Sequence, residues 1–180
     1  MFCKQPLTAL PQISARSLCL FLLAGLMLPG CGNQKQKAEN LVRSAVEQQD
    51  DGQYEDAVAT LTRSLALRPD FAEAFYLRGT CHGALGDYDQ AVKDLQSATK
   101  HRPEWDRAWW ALGTMQRSAG DIDSAEEALS LSIKLNPDAA DAYFDRGCVY
   151  MAKGDADAAL ADFEKSAELN PNNTDAHVRL

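Results

Sequence analysis

The sequence predicts an all-α solenoid of four helix–turn–helix repeats, and three observations predict it. The first is a period of 34 residues without insertions, dividing the chain into units 38–71, 72–105, 106–139 and 140–173. Four columns hold the register: Pro69, Pro103, Pro137, Pro171; Gly52, Gly86, Gly120, Gly154; Ala57, Ala91, Ala125, Ala159; and Leu61, Leu95, Leu129, Phe163. A period of this length decides the architecture before any local reading. The second is helical spacing of small and apolar residues inside each unit, as in Phe75, Gly79, His82 and in Tyr88, Ala91, Leu95, Ala98. The third is energetic. Some six buried side chains per unit at roughly 2 kcal/mol each fall short of roughly 1.5 kcal/mol for every ordered residue. Neighbouring units must therefore stack on one another.

The chain begins with a segment that reads as targeting rather than fold. Lys4 and Arg16 precede an apolar run of 12 residues, Ser17 to Leu28. That suits a signal-peptide core and is too short for a spanning helix of about 20 residues. Leu28-Pro29-Gly30-Cys31 resembles a bacterial lipoprotein cleavage box, although Pro29 departs from its usual small residue. The resemblance implies that 1–30 is a lipoprotein signal peptide, that Cys31 is acylated, and that the mature chain faces the periplasm from the cell membrane or outer membrane. Gly32, where an Asp would retain the protein, favours the outer membrane on the same resemblance. A plain secretory signal or an uncleaved anchor is the alternative. Residues 31–37 are then the lipidated cysteine and a polar tether, reaching about 20 Å when stretched.

Each unit reads as two helices. In 72–105 the first runs from Ala72 to Leu85, and Gly86 is placed to end it in the left-handed conformation. Asp87 is expected to cap the second helix, with Gln90 completing a capping box; Asp121 and Asp155 take the same role, and Gln53 takes it less well. The second helix runs to about His101 and Pro103 stops it. Units two and four share a pairing absent from the others: Arg78 with Asp94 and Arg146 with Asp162, where unit three has Leu112 with Ala128. Ion pairs bridging the two helices are expected, worth about 0.5 kcal/mol if exposed. Residues 174–180 begin a fifth unit and stop, a truncated cap.

With Trp109, Leu112, Gly113, Tyr150, Ala159, Phe163 and Pro171 at their positions, the units resemble tetratricopeptide repeats (TPR). The resemblance covers 38–173. It implies a groove lined by the first helices that receives a protein or peptide partner. One lining column is Val42, Tyr76, Trp110 and Phe144, with Trp110 as the expected anchor because buried Trp and Arg dominate binding energies. Trp109, beside it, is expected in the core. Arg107 and Arg117 fall in lining columns too and are expected to read a ligand carboxylate. Gly83 is an unneeded helical glycine, expected to let a ligand backbone approach. The Lys and Asn of the chaperone-tail clamp are absent from the columns holding the aromatics and Val46, Thr80, Thr114 and Cys148, so Thr114 belongs to a groove of another kind.

Composition narrows the partners. Beyond residue 30 the chain has 16 basic against 26 acidic side chains. That argues against nucleic acid, which needs a basic footprint. His82, His101 and His177 have no carboxylate or cysteine partner at ligand spacing, and no nucleophile motif is present, so neither an enzyme, a metal nor a cofactor is expected. Cys3 and Cys19 belong to the leader. Cys81 and Cys148 lie two units apart, too far for a disulfide, and are expected as buried thiols. The last unit is expected to leave Leu160, Phe163, Ala167 and Leu169 partly uncovered, a face for self-association. Two readings therefore stand: a membrane-anchored adaptor or assembly factor, resembling tetratricopeptide lipoproteins that assist pilus secretins or cell-wall hydrolases, and a scaffold that stacks through its C-terminal repeat.

Overall fold

The structure is a computed structural model, and it describes residues 29–171. Residues 1–28, most of the expected signal peptide, and residues 172–180, with the expected truncated cap 174–180 and His177, lie outside the described residues. Eight helices make up the described chain: α1 Pro29–Asp50, α2 Tyr54–Leu67, α3 Ala72–Ala84, α4 Tyr88–His101, α5 Asp106–Ser118, α6 Ile122–Leu135, α7 Ala140–Lys153 and α8 Ala156–Leu169. No strand occurs among the described residues, and no helix among them is long and apolar enough to cross a membrane.

The repeat columns become visible as physical devices. Gly86 and Gly154 have φ of +82° and +80°, the left-handed turn that a side chain would strain. Each proline of the repeat follows a helix end by two residues, after Leu67, His101, Leu135 and Leu169. Asp121 and Asp155 cap α6 and α8, accepting from the backbone N–H of Ser124 at 3.3 Å and of Ala158 at 3.1 Å. Asp87 corrects the expectation. Its side chain accepts no capping bond, and its carboxylate lies 3.8 Å from His82 Nδ1 instead. Gln53 makes no capping bond either.

Residues 31–37, expected as a polar tether, lie within α1. A helix rises about 1.5 Å per residue, so this stretch is shorter than an extended chain.

Units are joined by continuous apolar cores. Ala38, Val42 and Ala45 of α1 pack with Ala57, Leu61 and Leu65 of α2, with Phe71 at the end of the same unit, and with Ala74 and Cys81 of the next unit. Leu95 of unit two packs with Ala111, Leu112 and Ala128 of unit three. Close approach within a pair depends on small residues. A Cβ at Gly113 would stand 2.6 Å from Leu129 Cγ and 3.0 Å from the Ala125 carbonyl. First helices of successive units also touch, α3 with α5 and α5 with α7, which puts them on the inner side of the stack.

The expected ion pairs are present and extend further than expected. Arg78 donates from Nε and Nη2 to the two oxygens of Asp94, each at 2.7 Å, and from Nη1 to Thr62 Oγ1 at 3.0 Å. Arg146 repeats this with Asp162, at 2.8 Å twice, and with Ser130 at 3.1 Å. Each arginine thus clamps both helices of its own unit and the second helix of the preceding one. The carboxylates are buried, their side chains 10% and 8% exposed, so these are not the exposed pairs of modest value that the sequence suggested. The hydrogen bonds that Arg146 donates to Asp162 raise the arginine pKa against the opposing effect of burial.

Candidate partner-binding cleft

On the inner side, a cleft of about 520 Å³ opens among α3, the N-terminal ends of α5 and α7, and the turn after α6. Tyr76, Arg107, Trp110, Asp138, Asp141 and Asn170 line it. Its floor is held by hydrogen bonds. Ser132 Oγ donates to the Asp106 carbonyl at 3.0 Å, and Asn136 Nδ2 donates to the Asp106 carboxylate at 2.8 Å. Tyr76 is half-buried, its ring centroid 4.6 Å from that of Trp105. Burial pushes its hydroxyl pKa up, and the charge of Arg107 pulls the other way. Arg107 is exposed.

The other expected groove residues behave differently. Trp110, Thr114 and Arg117 stand one and two turns apart on α5, and all three converge on Asp145 of α7. Asp145 Oδ2 accepts from Trp110 Nε1 at 2.8 Å and from Thr114 Oγ1 at 2.9 Å; Oδ1 accepts from Arg117 Nη2 at 3.1 Å. Asp145 is 8% exposed. Arg117 therefore does not stand beside Arg107 as a second open cation, because a buried carboxylate in the next unit already holds it. Trp110 keeps only part of its ring for the cleft. Val42 is buried in the core, and Phe144 packs at 5.6 Å on Phe163; neither lines the cleft.

Gly83 is also corrected. A Cβ there would meet Met115 Sδ at 2.6 Å, so the gap is filled by a neighbouring helix and is not open to a ligand backbone. His82 has carboxylates the sequence did not place beside it, Asp87 at 3.8 Å and Asp94 at 4.0 Å. No group of three or more possible metal ligands forms among the described residues. Cys81 is buried, and burial pushes its thiol pKa up to about 11. Cys148 is half-buried rather than fully buried. Trp109 is half-buried and donates from Nε1 to the Pro103 carbonyl at 2.8 Å.

The C-terminal face is less open than expected. Phe163 is 2% and Ala167 7% exposed, because Phe163 lies against Gly147, where an added Cβ would stand 2.6 Å from its ring. Leu169 is half-buried, and Leu160 is exposed.

Sequence reasoning missed Asp145, the residue that ties α5 to α7. Its column reads Arg43, Leu77, Ala111, Asp145. A lone acid where units two and three have apolar residues was the available signal.

Two family models match the chain, each described as a tetratricopeptide repeat, over residues 48–115 and 112–178. No curated protein matches. Among solved structures, a crystal structure of MamA is 28% identical with a TM-score of 0.71, over 77% of this chain and 81% of that one. MamA from Desulfovibrio magneticus RS-1 is 24% identical with a TM-score of 0.70, over 76% and 77%. PilF of Pseudomonas aeruginosa is 17% identical with a TM-score of 0.74, over 82% and 67%. The last two likenesses are of fold alone. All eight helices and both matched segments agree, and the chain belongs to the tetratricopeptide repeat family.

Proposed function

We propose that this tetratricopeptide scaffold is a membrane-anchored adaptor or assembly factor that holds a segment of a partner protein in the inner cleft. The observation that carries the reading is the cleft itself, which joins the half-buried aromatics Tyr76 and Trp110 to an exposed Arg107 and to Asp138 and Asp141. Aromatic surface supplies contact area at low entropic cost, and flanking charges select the register. With Arg117 engaged by Asp145, the carboxylates lining the cleft outnumber its cations. The segment that fits pairs an apolar or aromatic side chain with a basic one. Anchoring rests on Leu28-Pro29-Gly30-Cys31 and places the adaptor on the periplasmic face of the cell membrane or outer membrane.

The test is crosslinking from membranes of cells making the full chain, beside Cys31→Ser, Tyr76→Ala and Arg107→Glu variants. A protein crosslinked to wild type and lost with Tyr76→Ala supports the cleft. Loss of the chain itself from membranes with Cys31→Ser supports the anchor. A partner retained by both cleft variants refutes the first part, and a membrane-bound Cys31→Ser refutes the second. Self-association through α8 is the second reading, favoured by Leu160, which is 42% exposed.

A further inference from the structure

Unit three lacks the arginine clamp of units two and four, and the place is open. In unit four the Arg146 guanidinium lies 5.7 Å from the ring of Tyr143, is held by Asp162 and reaches Ser130. In unit two Arg78 does the same with Phe75, Asp94 and Thr62. At the equivalent positions unit three has Leu112 for the arginine, Ala128 for the aspartate, Trp109 for the aromatic and Gln96 for the hydroxyl residue. Leucine is shorter than arginine. The space where a guanidinium would lie is a cleft of about 500 Å³ between α4, α5 and α6, lined by these four residues and by Gln116. Gln116 is only 7% exposed, and its Oε1 is buried without a hydrogen-bond partner. A buried acceptor of this kind is destabilising until a donor reaches it.

We propose that this cleft binds an arginine side chain of a partner protein, a guanidinium supplied from outside taking the place that Arg78 and Arg146 take within their own units. The fold supplies two internal precedents for the fit. Trp109 is the best of the aromatic faces for a cation. The amide oxygen of Gln96, and that of Gln116 once its side chain turns its buried Oε1 toward the cleft, are acceptors for a planar group with five donors, and Glu127 adds a carboxylate on the α6 wall. The stem of the arginine lies on Leu112 and Ala128, both nearly fully buried. An aliphatic side chain fills the same floor but leaves Gln116 Oε1 unpaired. Lys100, on the α4 wall, opposes the cation and tempers the affinity, whereas the net charge of −8 attracts a basic partner. The site shares no residue with the inner cleft, so neither proposal depends on the other.

The test is an NMR titration of the full chain in detergent, following the indole N–H of Trp109, assigned with Trp109→Phe. The probes are a capped alanine tripeptide with arginine at its centre and its lysine and leucine counterparts. A saturable shift with the arginine peptide, and binding about tenfold weaker or more for the other two, supports the proposal. Leu112→Arg combined with Ala128→Asp rebuilds the internal clamp and abolishes the shift. Gln116→Leu weakens it without filling the cleft, and Lys100→Ala strengthens it. Should the double variant melt below wild type, the Gln116→Leu and Lys100→Ala results decide. Equal binding of the leucine peptide, no saturable shift, or unchanged binding in a folded double variant overturns the proposal.

Discussion

The indole N–H of Trp110 donates to Asp145 Oδ2 at 2.8 Å, binding the inner helix of unit three to that of unit four. The same carboxylate accepts from Thr114 and Arg117, so one buried acid receives three donors. Asp145→Ala leaves the Trp110 indole and the Arg117 guanidinium without this acceptor, while Thr114 Oγ1 keeps the Trp110 carbonyl at 3.0 Å, and is expected to destabilise by about 2–4 kcal/mol. Urea unfolding at neutral pH measures this. Trp110→Phe removes one donor but keeps an aromatic ring of smaller size, so its smaller loss, about 1 kcal/mol, separates the structural role of the indole N–H from any loss of partner binding.

Arg146→Ala uncovers the Asp162 carboxylate, whose side chain is 8% exposed, and is expected to cost about 3 kcal/mol in denaturant unfolding. Arg146→Lys recovers little of it, because an ammonium cannot span both carboxylate oxygens and Ser130 together. Ser130→Ala removes only the arm to the preceding unit and costs about 1 kcal/mol. Equal stability of Arg146→Lys and wild type contradicts the bidentate geometry.

Architecture was legible because each repeat column imposes one backbone or packing requirement. Gly86 had to be glycine for its positive φ, and Pro103 had to follow a helix end. The pairs Arg78–Asp94 and Arg146–Asp162 were legible for a related reason: two columns changed together in the same two units. Contacts between non-equivalent columns left no such mark. Asp145 meets Trp110, Thr114 and Arg117 through a single acid in unit four, with no second copy to compare. Gly83 misled for the same reason, since the residue filling its gap, Met115, comes from a different column of the next unit.

Gly83→Ala and Gly113→Ala are expected to differ in sign. At Gly83 the obstacle is the flexible end of Met115, which can turn away. Alanine there is neutral or gains up to about 1 kcal/mol from helix propensity. At Gly113 the obstacles are Leu129 Cγ at 2.6 Å and the Ala125 carbonyl at 3.0 Å. The helix pair must part, and a loss of about 1–3 kcal/mol is expected. Thermal melts of the two variants side by side decide it.

Leu160→Asp and Phe163→Ala separate self-association from folding. Leu160 is exposed at 42%, whereas Phe163 is 2% exposed. Leu160→Asp is expected to leave the melting temperature within a few degrees of wild type while abolishing any concentration-dependent mass in light scattering. Phe163→Ala opens a cavity beside Gly147 and is expected to cost about 3–5 kcal/mol. Oligomers that persist in Leu160→Asp remove α8 as the contact face.

Burial of Cys81 raises its thiol pKa to about 11 from an ordinary value of 9.0. The neutral thiol is therefore favoured in the folded state. Below pH 9 both states are protonated and the shift has no effect on stability. Between pH 9 and about 11 the unfolded chain loses this proton and the folded chain retains it, so stability falls as pH rises. Cys81→Val, the residue that Val149 places in the same column of unit four, keeps an apolar side chain without the titration. Tyr76 and Tyr150 also have raised pKa values and titrate in both proteins, so the informative quantity is the difference between wild type and variant. That difference is expected to be constant up to pH 9 and then to move in favour of Cys81→Val. Parallel pH–stability curves across the alkaline range refute the buried neutral thiol.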